Sequence, residues 1–170
     1  MSPFVERMIR AAKLDVSLYE EVEADKTAIL QSMMVIIISS AAAGIGAARA
    51  GGIALLSGVI AALIGWLIWS YLVFIIGTKI LPERHTEADY GELLRTIGFA
   101  SSPGLIRVLG IIPGLGWIST IAASIWMFIT MIIAVRQALD YRSTARAFGV
   151  CAVGGIIYIA ALSIFYSIIY

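Results

Sequence analysis

The chain contains four long stretches without a charged residue, at 28–48, 52–78, 114–135 and 147–170. A helix of about 20 apolar residues is long enough to cross the hydrocarbon core of a bilayer. Only 14% of the residues are charged and 61% are hydrophobic, whereas a soluble domain carries about 25% charged residues. The sequence therefore predicts an all-α, polytopic membrane bundle.

A further apolar stretch between the second and third of these, at 93–112, decides the topology. Cytoplasmic loops are enriched in lysine and arginine. If this stretch crosses, every basic residue except Arg49 and Arg107 lies on the side of the N-terminus; if it does not, the basic residues divide between the two sides. We therefore predict five spans, a cytoplasmic N-terminus and a C-terminus outside, which in a bacterium means the inner membrane. The predicted transmembrane domain covers 28–170, with spans at 28–48, 52–78, 93–112, 114–135 and 147–170.

Residues 1–27 form a predicted cytoplasmic segment. Apolar residues at positions 4, 5, 8, 9 and 12 recur at helical spacing opposite charged residues. This pattern predicts an amphipathic helix that lies in the membrane interface or packs beneath the bundle. The acidic run YEEVEADK follows, and such runs are usually solvated helix faces. The alternative is a docking site for a basic partner, with Glu20, Glu21, Glu23 and Asp25 as candidate partner-binding residues.

The sequence TIGFASSPGLIRVLGIIPGLGW (96–117) interrupts the third predicted span. Pro103 lacks the N–H that a continuous helix needs, and Ser101 and Ser102 are placed to satisfy the freed backbone groups. The segment has no lysine and no water-exposed helix start, so a phosphate-binding loop is excluded. The break predicts a structural kink. The alternative is a lipid or solute site at a discontinuous helix, formed by Ser101, Ser102, Pro103 and Arg107.

Small residues recur at every fourth position in the first and last spans. Such spacing lets helix backbones approach closely in lipid. The predicted helix-packing residues are Ser40, Gly44, Ala48, Ala147, Cys151 and Gly155.

Side chains that carry chemistry are sparse. Outside the third span the predicted membrane helices contain no Asp, Glu, Lys, Arg or His, which argues against proton-coupled transport. His85 is the only histidine and Cys151 the only cysteine, so neither a metal site nor a disulfide is predicted. The net charge of +1 gives no support for nucleic-acid binding. We expect no catalytic residue and no cofactor.

Three stretches resemble the Yip family (Ypt-interacting proteins) of small five-span membrane proteins, particularly its short prokaryotic-type members. They are YEEVEADKTA (19–28), ELLRTIGFASSPGL (92–105) and WMFITMIIAVRQALDYRSTARAF (126–148). The second contains the Gly-aromatic-small-x-x-Pro pattern, here Gly98, Phe99, Ala100 and Pro103. The resemblance implies a polytopic protein with a cytoplasmic N-terminus, and in eukaryotic members an interaction with Rab-type GTPases. Where those members carry Asp-Leu-Tyr-Gly-Pro, this chain has DVSLYEEVE.

Together these features predict a non-enzymatic membrane scaffold that recruits partners at its cytoplasmic face. Its expected partners are membrane lipids and other membrane or peripheral proteins, in a homo- or hetero-oligomer. Two alternatives remain open: a small transporter or lipid-handling protein that uses the broken span, and an accessory subunit of a larger membrane complex.

Overall fold

The computed structural model describes residues 2–47 and 51–169, and within these every regular element is helical. Two short helices precede five longer helical segments. The α-helices are α1 (Pro3–Ala12), α2 (Val16–Ala24), α3 (Ala28–Gly46), α4 (Gly52–Ile75), α5 (Tyr90–Ala100), α6 (Gly116–Ala138) and α7 (Thr144–Ile169). A π-helical turn, Ile76–Ile80, extends α4, and a 3-10 helix, Ser102–Ile111, follows α5.

Four helical stretches in the described part of the chain are long and apolar enough to cross a bilayer: Ala28–Gly46, Gly52–Ile80, Gly116–Ala138 and Thr144–Ala161. The stretch expected as the third of five spans is not among them, because its α-helix ends at Ala100 after 11 residues. The chain then continues as the 10-residue 3-10 helix. We call 90–111 the α5/3-10 segment.

The α5/3-10 segment runs beside α3 in the same direction. The hydroxyl of Ser32 donates to the Arg95 carbonyl at 2.9 Å, and seven residues later the hydroxyl of Ser39 donates to the Ser101 carbonyl at 3.0 Å. At ~1.5 Å per α-helical and ~2.0 Å per 3-10 residue, the segment rises about 36 Å, against about 28 Å for α3. It therefore extends along the whole of α3.

Small residues make this close approach possible. Side chains at Gly98 or Gly110 would overlap α3, since an added Cβ would lie 2.5 Å from the Ser32 Cβ or 2.6 Å from the Gly46 carbonyl oxygen. Seven residues of an α-helix and six residues of a 3-10 helix each make about two turns. Contacts between the two elements therefore recur every seven residues on α3 and every six residues on the α5/3-10 segment. The resulting small-residue seam consists of Ser32, Ser39 and Gly46 on α3 facing Gly98, Gly104 and Gly110.

The small-residue face predicted on α3 lies beside this seam. Ser40 and Gly44 are only partly buried, and the Ser40 hydroxyl donates within its own helix. Ala48 lies outside the described residues. The contact with the 3-10 helix is made by Ser39 and Gly46 instead, because the helix turns these two positions toward it.

On α7 the predicted packing residues divide. Ala147 and Cys151 are buried in the bundle core. An added Cβ at Gly155 would meet no atom within 4 Å, whereas one at the buried Gly154 would lie 3.4 Å from the Trp69 ring. Gly154 is therefore the glycine of α7 that contacts α4.

The bundle has two different ends. The charged end carries α1, α2 and the loops after α4 and α6, while α3 and the 3-10 helix end at the opposite end. α1 buries Met8 and Ala11 and leaves Val5 and Ile9 exposed. The Trp126 indole of α6 donates to the Ala12 carbonyl at 2.8 Å, which attaches α1 to the side of the bundle.

Candidate functional site

The α1–α2 hairpin is held together by ion pairs between its two helices. The chain reverses at Leu14, which has a φ of 65°. Arg10 contacts Asp15 at 2.7 Å and Glu21 at 2.6 Å. Arg7 contacts Glu21 at 2.8 Å and Asp25 at 3.0 Å. Two arginines on α1 therefore form ion pairs with three carboxylates on or beside α2.

These pairs change which acidic residues are open to a partner. The hydrogen bond from Arg10 lowers the pKa of the Glu21 carboxyl, and the Thr27 hydroxyl followed by Arg7 lowers that of Asp25. Of the four candidate partner-binding residues, Glu21 and Asp25 are thus occupied within the chain. Glu20 is exposed, and its carboxylate accepts a 3.2 Å hydrogen bond from the Gln137 amide.

Glu23 lies among other carboxylates. Burial, followed by repulsion from Glu92, Asp140 and Glu20, raises its pKa to about 7, although the nearby Arg95 guanidinium acts in the opposite direction. Within the described ranges, no lysine or arginine forms a salt bridge with any of these four residues. We call Glu20, Glu23, Glu92 and Asp140 the acidic surface.

Arg95 adjoins the acidic surface, but it forms its hydrogen bonds with backbone carbonyls and not with the carboxylates. Its buried guanidinium donates to the carbonyls of Val22, at 3.0 Å, and of Glu23, at 3.1 Å, at the last turn of α2. A cation at a helix C-terminus satisfies carbonyls that have no partner within the helix. Arg95 therefore fixes α2, with Glu23, onto α5.

Sequence reasoning missed Glu92, Arg95 and Asp140 as members of this site. They stand more than 60 residues along the chain from α2, and neither spacing nor composition connects them with Glu23. Only the packing of α2 against α5 and α6 brings them together.

The other side of the charged end is basic. Arg84, His85, Arg142 and Arg146 line a cavity of about 440 Å³ together with Pro82 and Glu83. The Glu83 carboxylate accepts hydrogen bonds from the backbone N–H groups of Arg142, at 3.1 Å, and Ser143, at 3.3 Å, just before α7 begins. We call the three arginines and His85 the basic cluster.

The junction between α5 and the 3-10 helix satisfies its own backbone. Pro103 has no N–H to donate to the Phe99 carbonyl, and the Ser102 hydroxyl takes that place at 2.7 Å. The next carbonyl, of Ala100, accepts from the Thr130 hydroxyl of α6 at 2.7 Å. This irregular backbone is tolerated inside the bundle because side chains replace the missing donors.

Of the residues proposed for a site at the junction, two lie on one cavity. Ser101 and Arg107 line a central cavity of about 250 Å³ between α3, α4, α6 and α7. Ser102 instead lines an apolar cleft beneath α1, and Pro103 is buried.

Arg107 also lines a second, larger cavity of about 780 Å³ near the end of the bundle opposite α1, together with Trp117 and Thr120. One guanidinium nitrogen, Nη2, donates to the Ser124 hydroxyl at 3.3 Å. Its Nε is buried and has no hydrogen-bond partner in the part of the chain that the structure describes.

A family model described as Yip1 domain matches residues 21–164. The match begins within α2, ends within α7 and includes every element between them. No curated protein and no solved structure gives a significant match.

Proposed function

The chain belongs to the Yip1 domain family, as its motifs predicted, and from that premise we propose that it is a non-enzymatic scaffold recruiting partners at its charged end. It is a multi-pass membrane protein of a family not known for catalysis. The observation that supports recruitment is the acidic surface, whose four carboxylates form no salt bridge among the described residues and outnumber the one adjoining cation, Arg95. Its partner would present lysine or arginine side chains.

The position of the acidic surface suits such a role. Arg95 and the α1–α2 ion pairs hold its backbone in place, so a partner need not order this segment on binding. Carboxylates that form no salt bridge within the chain steer a basic partner and add specificity.

We propose that five segments cross the membrane, with the third broken at Pro103 and the charged end in the cytoplasm, which places the C-terminus outside. The domain division follows, with 1–27 as the cytoplasmic segment and 28–170 as the transmembrane domain. Two observations support this topology: the α5/3-10 segment runs parallel to α3 along its whole length, and ten of the twelve basic residues belong to the charged end under this model.

Cysteine labelling tests the topology. In a Cys151→Ser background, Glu87→Cys and Asp140→Cys should react with an impermeant maleimide only from the cytoplasmic side. Gly51→Cys, where an added Cβ meets no atom within 4 Å, should react only from the other side. Labelling of positions 87 and 140 from opposite sides would contradict five spans.

Photo-crosslinking tests recruitment. A photoreactive amino acid that replaces Glu20 should form a crosslink with a partner protein. The additional substitution Asp140→Lys should abolish this crosslink, since a reversed charge repels a basic surface. The matched controls are Arg142→Glu, on the basic cluster, and a photoreactive residue at the exposed Leu56 of α4. Capture that survives Asp140→Lys, or that Arg142→Glu abolishes equally, would contradict the proposed surface.

A further inference from the structure

We propose that the central cavity and the larger cavity beside it form one binding site for an anionic lipid. Its phosphate would bind the Arg107 guanidinium, and part of an acyl chain would occupy the central cavity. This site goes beyond the scaffold role, since none of the residues that line the two cavities belongs to the acidic surface.

The first argument is the state of Arg107. It is half-buried between apolar helices, and an ionised side chain within a membrane bundle is costly and is normally paired. In the described chain its only side-chain partner is the neutral Ser124, no carboxylate lies within salt-bridge distance, and Nε is buried without a partner. An anion bound at Nε and Nη would supply the missing charge and acceptor.

The second argument is the depth of Arg107. It stands four residues before the end of the 3-10 helix at Ile111, a rise of about 8 Å. A long arginine side chain at this depth reaches toward the membrane interface. The phosphate of a lipid in the adjoining leaflet lies within its range.

The third argument is the shape of the two cavities that share Arg107. The central cavity has apolar walls that include Trp66, Trp69, Met127 and Met131. Its 250 Å³ equals roughly eight water-sized volumes of about 30 Å³ each, enough for part of an acyl chain. The 780 Å³ cavity on the other side of Arg107 has room for a headgroup.

The fourth argument concerns the other polar groups of the central cavity. The hydroxyls of Ser39, Ser40 and Ser101 donate to backbone carbonyls, so their single donors are already used. The remaining hydroxyl on the lining is that of Tyr158. A neutral polar solute such as a sugar needs several partners in a buried site. One guanidinium beside apolar walls instead fits one charged group attached to an apolar chain.

Native mass spectrometry of the chain purified in dodecyl maltoside tests the proposal. With dioleoyl phosphatidylglycerol added, the wild type should retain one lipid per chain, and with dioleoyl phosphatidylcholine it should retain much less. Arg107→Gln should reduce the fraction with bound phosphatidylglycerol about tenfold or more, as expected for loss of a charged hydrogen bond. Arg107→Lys should keep most of it, and Arg142→Gln, which alters the basic cluster, should leave it unchanged.

A second variant separates binding from folding. Ser40 lines the central cavity, and its hydroxyl bonds only to its own helix. Ser40→Leu should fill the cavity and reduce lipid retention as strongly as Arg107→Gln, while the melting temperature of either variant without lipid stays at or above the wild-type value.

Three outcomes would overturn the proposal. They are equal retention of phosphatidylglycerol by wild type and Arg107→Gln, equal retention of the two lipids by the wild type, and unchanged retention in Ser40→Leu. A further arm uses inorganic phosphate alone. If phosphate stabilises the wild type but not Arg107→Gln, and phosphatidylglycerol is not retained by the wild type, the site binds a free anion. The lipid is then excluded as its ligand.

Discussion

Gly98→Ala tests the contact between α3 and the α5/3-10 segment. The added methyl would lie 2.5 Å from the Ser32 Cβ and 3.1 Å from its Cα and Oγ. Carbon atoms prefer about 3.5–4.0 Å, so the two helices must separate by about 1 Å. The hydrogen bond from Ser32 to the Arg95 carbonyl, now 2.9 Å, would be stretched by the same movement.

The expected cost follows from these two effects. Overpacking a well-packed interface costs about 1–3 kcal/mol, and the weakened hydrogen bond adds about 0.6–1 kcal/mol. Alanine is the better helix former by about 1 kcal/mol, which offsets part of the loss. Gly58→Ala on α4 isolates that last contribution, because an added Cβ there meets no atom within 4 Å. The two variants should differ in free energy of unfolding by about 2–4 kcal/mol.

Equilibrium unfolding in mixed dodecyl maltoside and SDS micelles, followed by tryptophan fluorescence, measures this difference. The double variant Ser32→Gly/Gly98→Ala should recover about 1 kcal/mol relative to additivity. Recovery should be partial, since the Cα of residue 32 still lies 3.1 Å from the new methyl. If Gly98→Ala falls within 0.5 kcal/mol of Gly58→Ala (about the error of such comparisons), the close approach of these helices is refuted.

Three further predictions concern the junction and the charged end. Ser102→Ala should cost about 1–2 kcal/mol of unfolding free energy in the same assay, since the carbonyl left by the missing proline N–H loses its donor. Arg95→Met should loosen the end of α2, at a cost of about 1.5–3 kcal/mol, and increase the rate of limited proteolysis there. The folded pKa of Glu23, raised to about 7 from 4.5, lies above the unfolded pKa, so its carboxyl favours folding at low pH and loses that effect as pH rises through 4.5 to 7. After allowance for solvent screening, Glu23→Gln should raise stability by about 1–2 kcal/mol at pH 8 and not at pH 4.5, as measured by unfolding titrations at both pH values.

Two of these predictions have a matched control, and the third has an outcome that would contradict it. Ser163→Ala removes a hydroxyl that bonds within an intact helix and should be neutral, so equal losses at 102 and 163 would exclude the role of Ser102. Glu6→Gln, on the exposed surface of α1, should not reproduce the pH-dependent gain, and a gain independent of pH would disprove the assignment to Glu23. Unchanged proteolysis in Arg95→Met would show that the ion pairs with α1 hold α2 alone.

Much of the fold could be predicted from the sequence. The uncharged stretches specify membrane helices because unpaired backbone and charged groups are excluded from lipid, and that constraint is local. α5 ends at Ala100, three residues before Pro103, and the missing N–H of a proline is also a local property. The family assignment likewise rests on short motifs, and the match over 21–164 confirms it.

The packing faces could not be predicted in this way. Both faces of a membrane helix are apolar, so hydrophobic periodicity does not show which face meets a neighbour. The face predicted on α3, which begins at Ser40, and the face observed in the seam, which begins at Ser32, both consist of residues with small side chains. Which of the two faces contacts the α5/3-10 segment depends on the six-residue repeat of the 3-10 helix. The sequence does not show that this segment is a 3-10 helix.

The same division holds for the sites. The sequence by itself determined that this is a multi-pass membrane protein, predicted that most of its charges lie at one end, and placed one arginine in the stretch 96–117. The tertiary structure decided what those charges do: Glu21 and Asp25 are neutralised by α1, Glu23 meets distant carboxylates, and Arg107 is left between two cavities. The physical reason is that an ionised group takes its properties from the charges and the water around it, and folding brings those neighbours from remote parts of the chain.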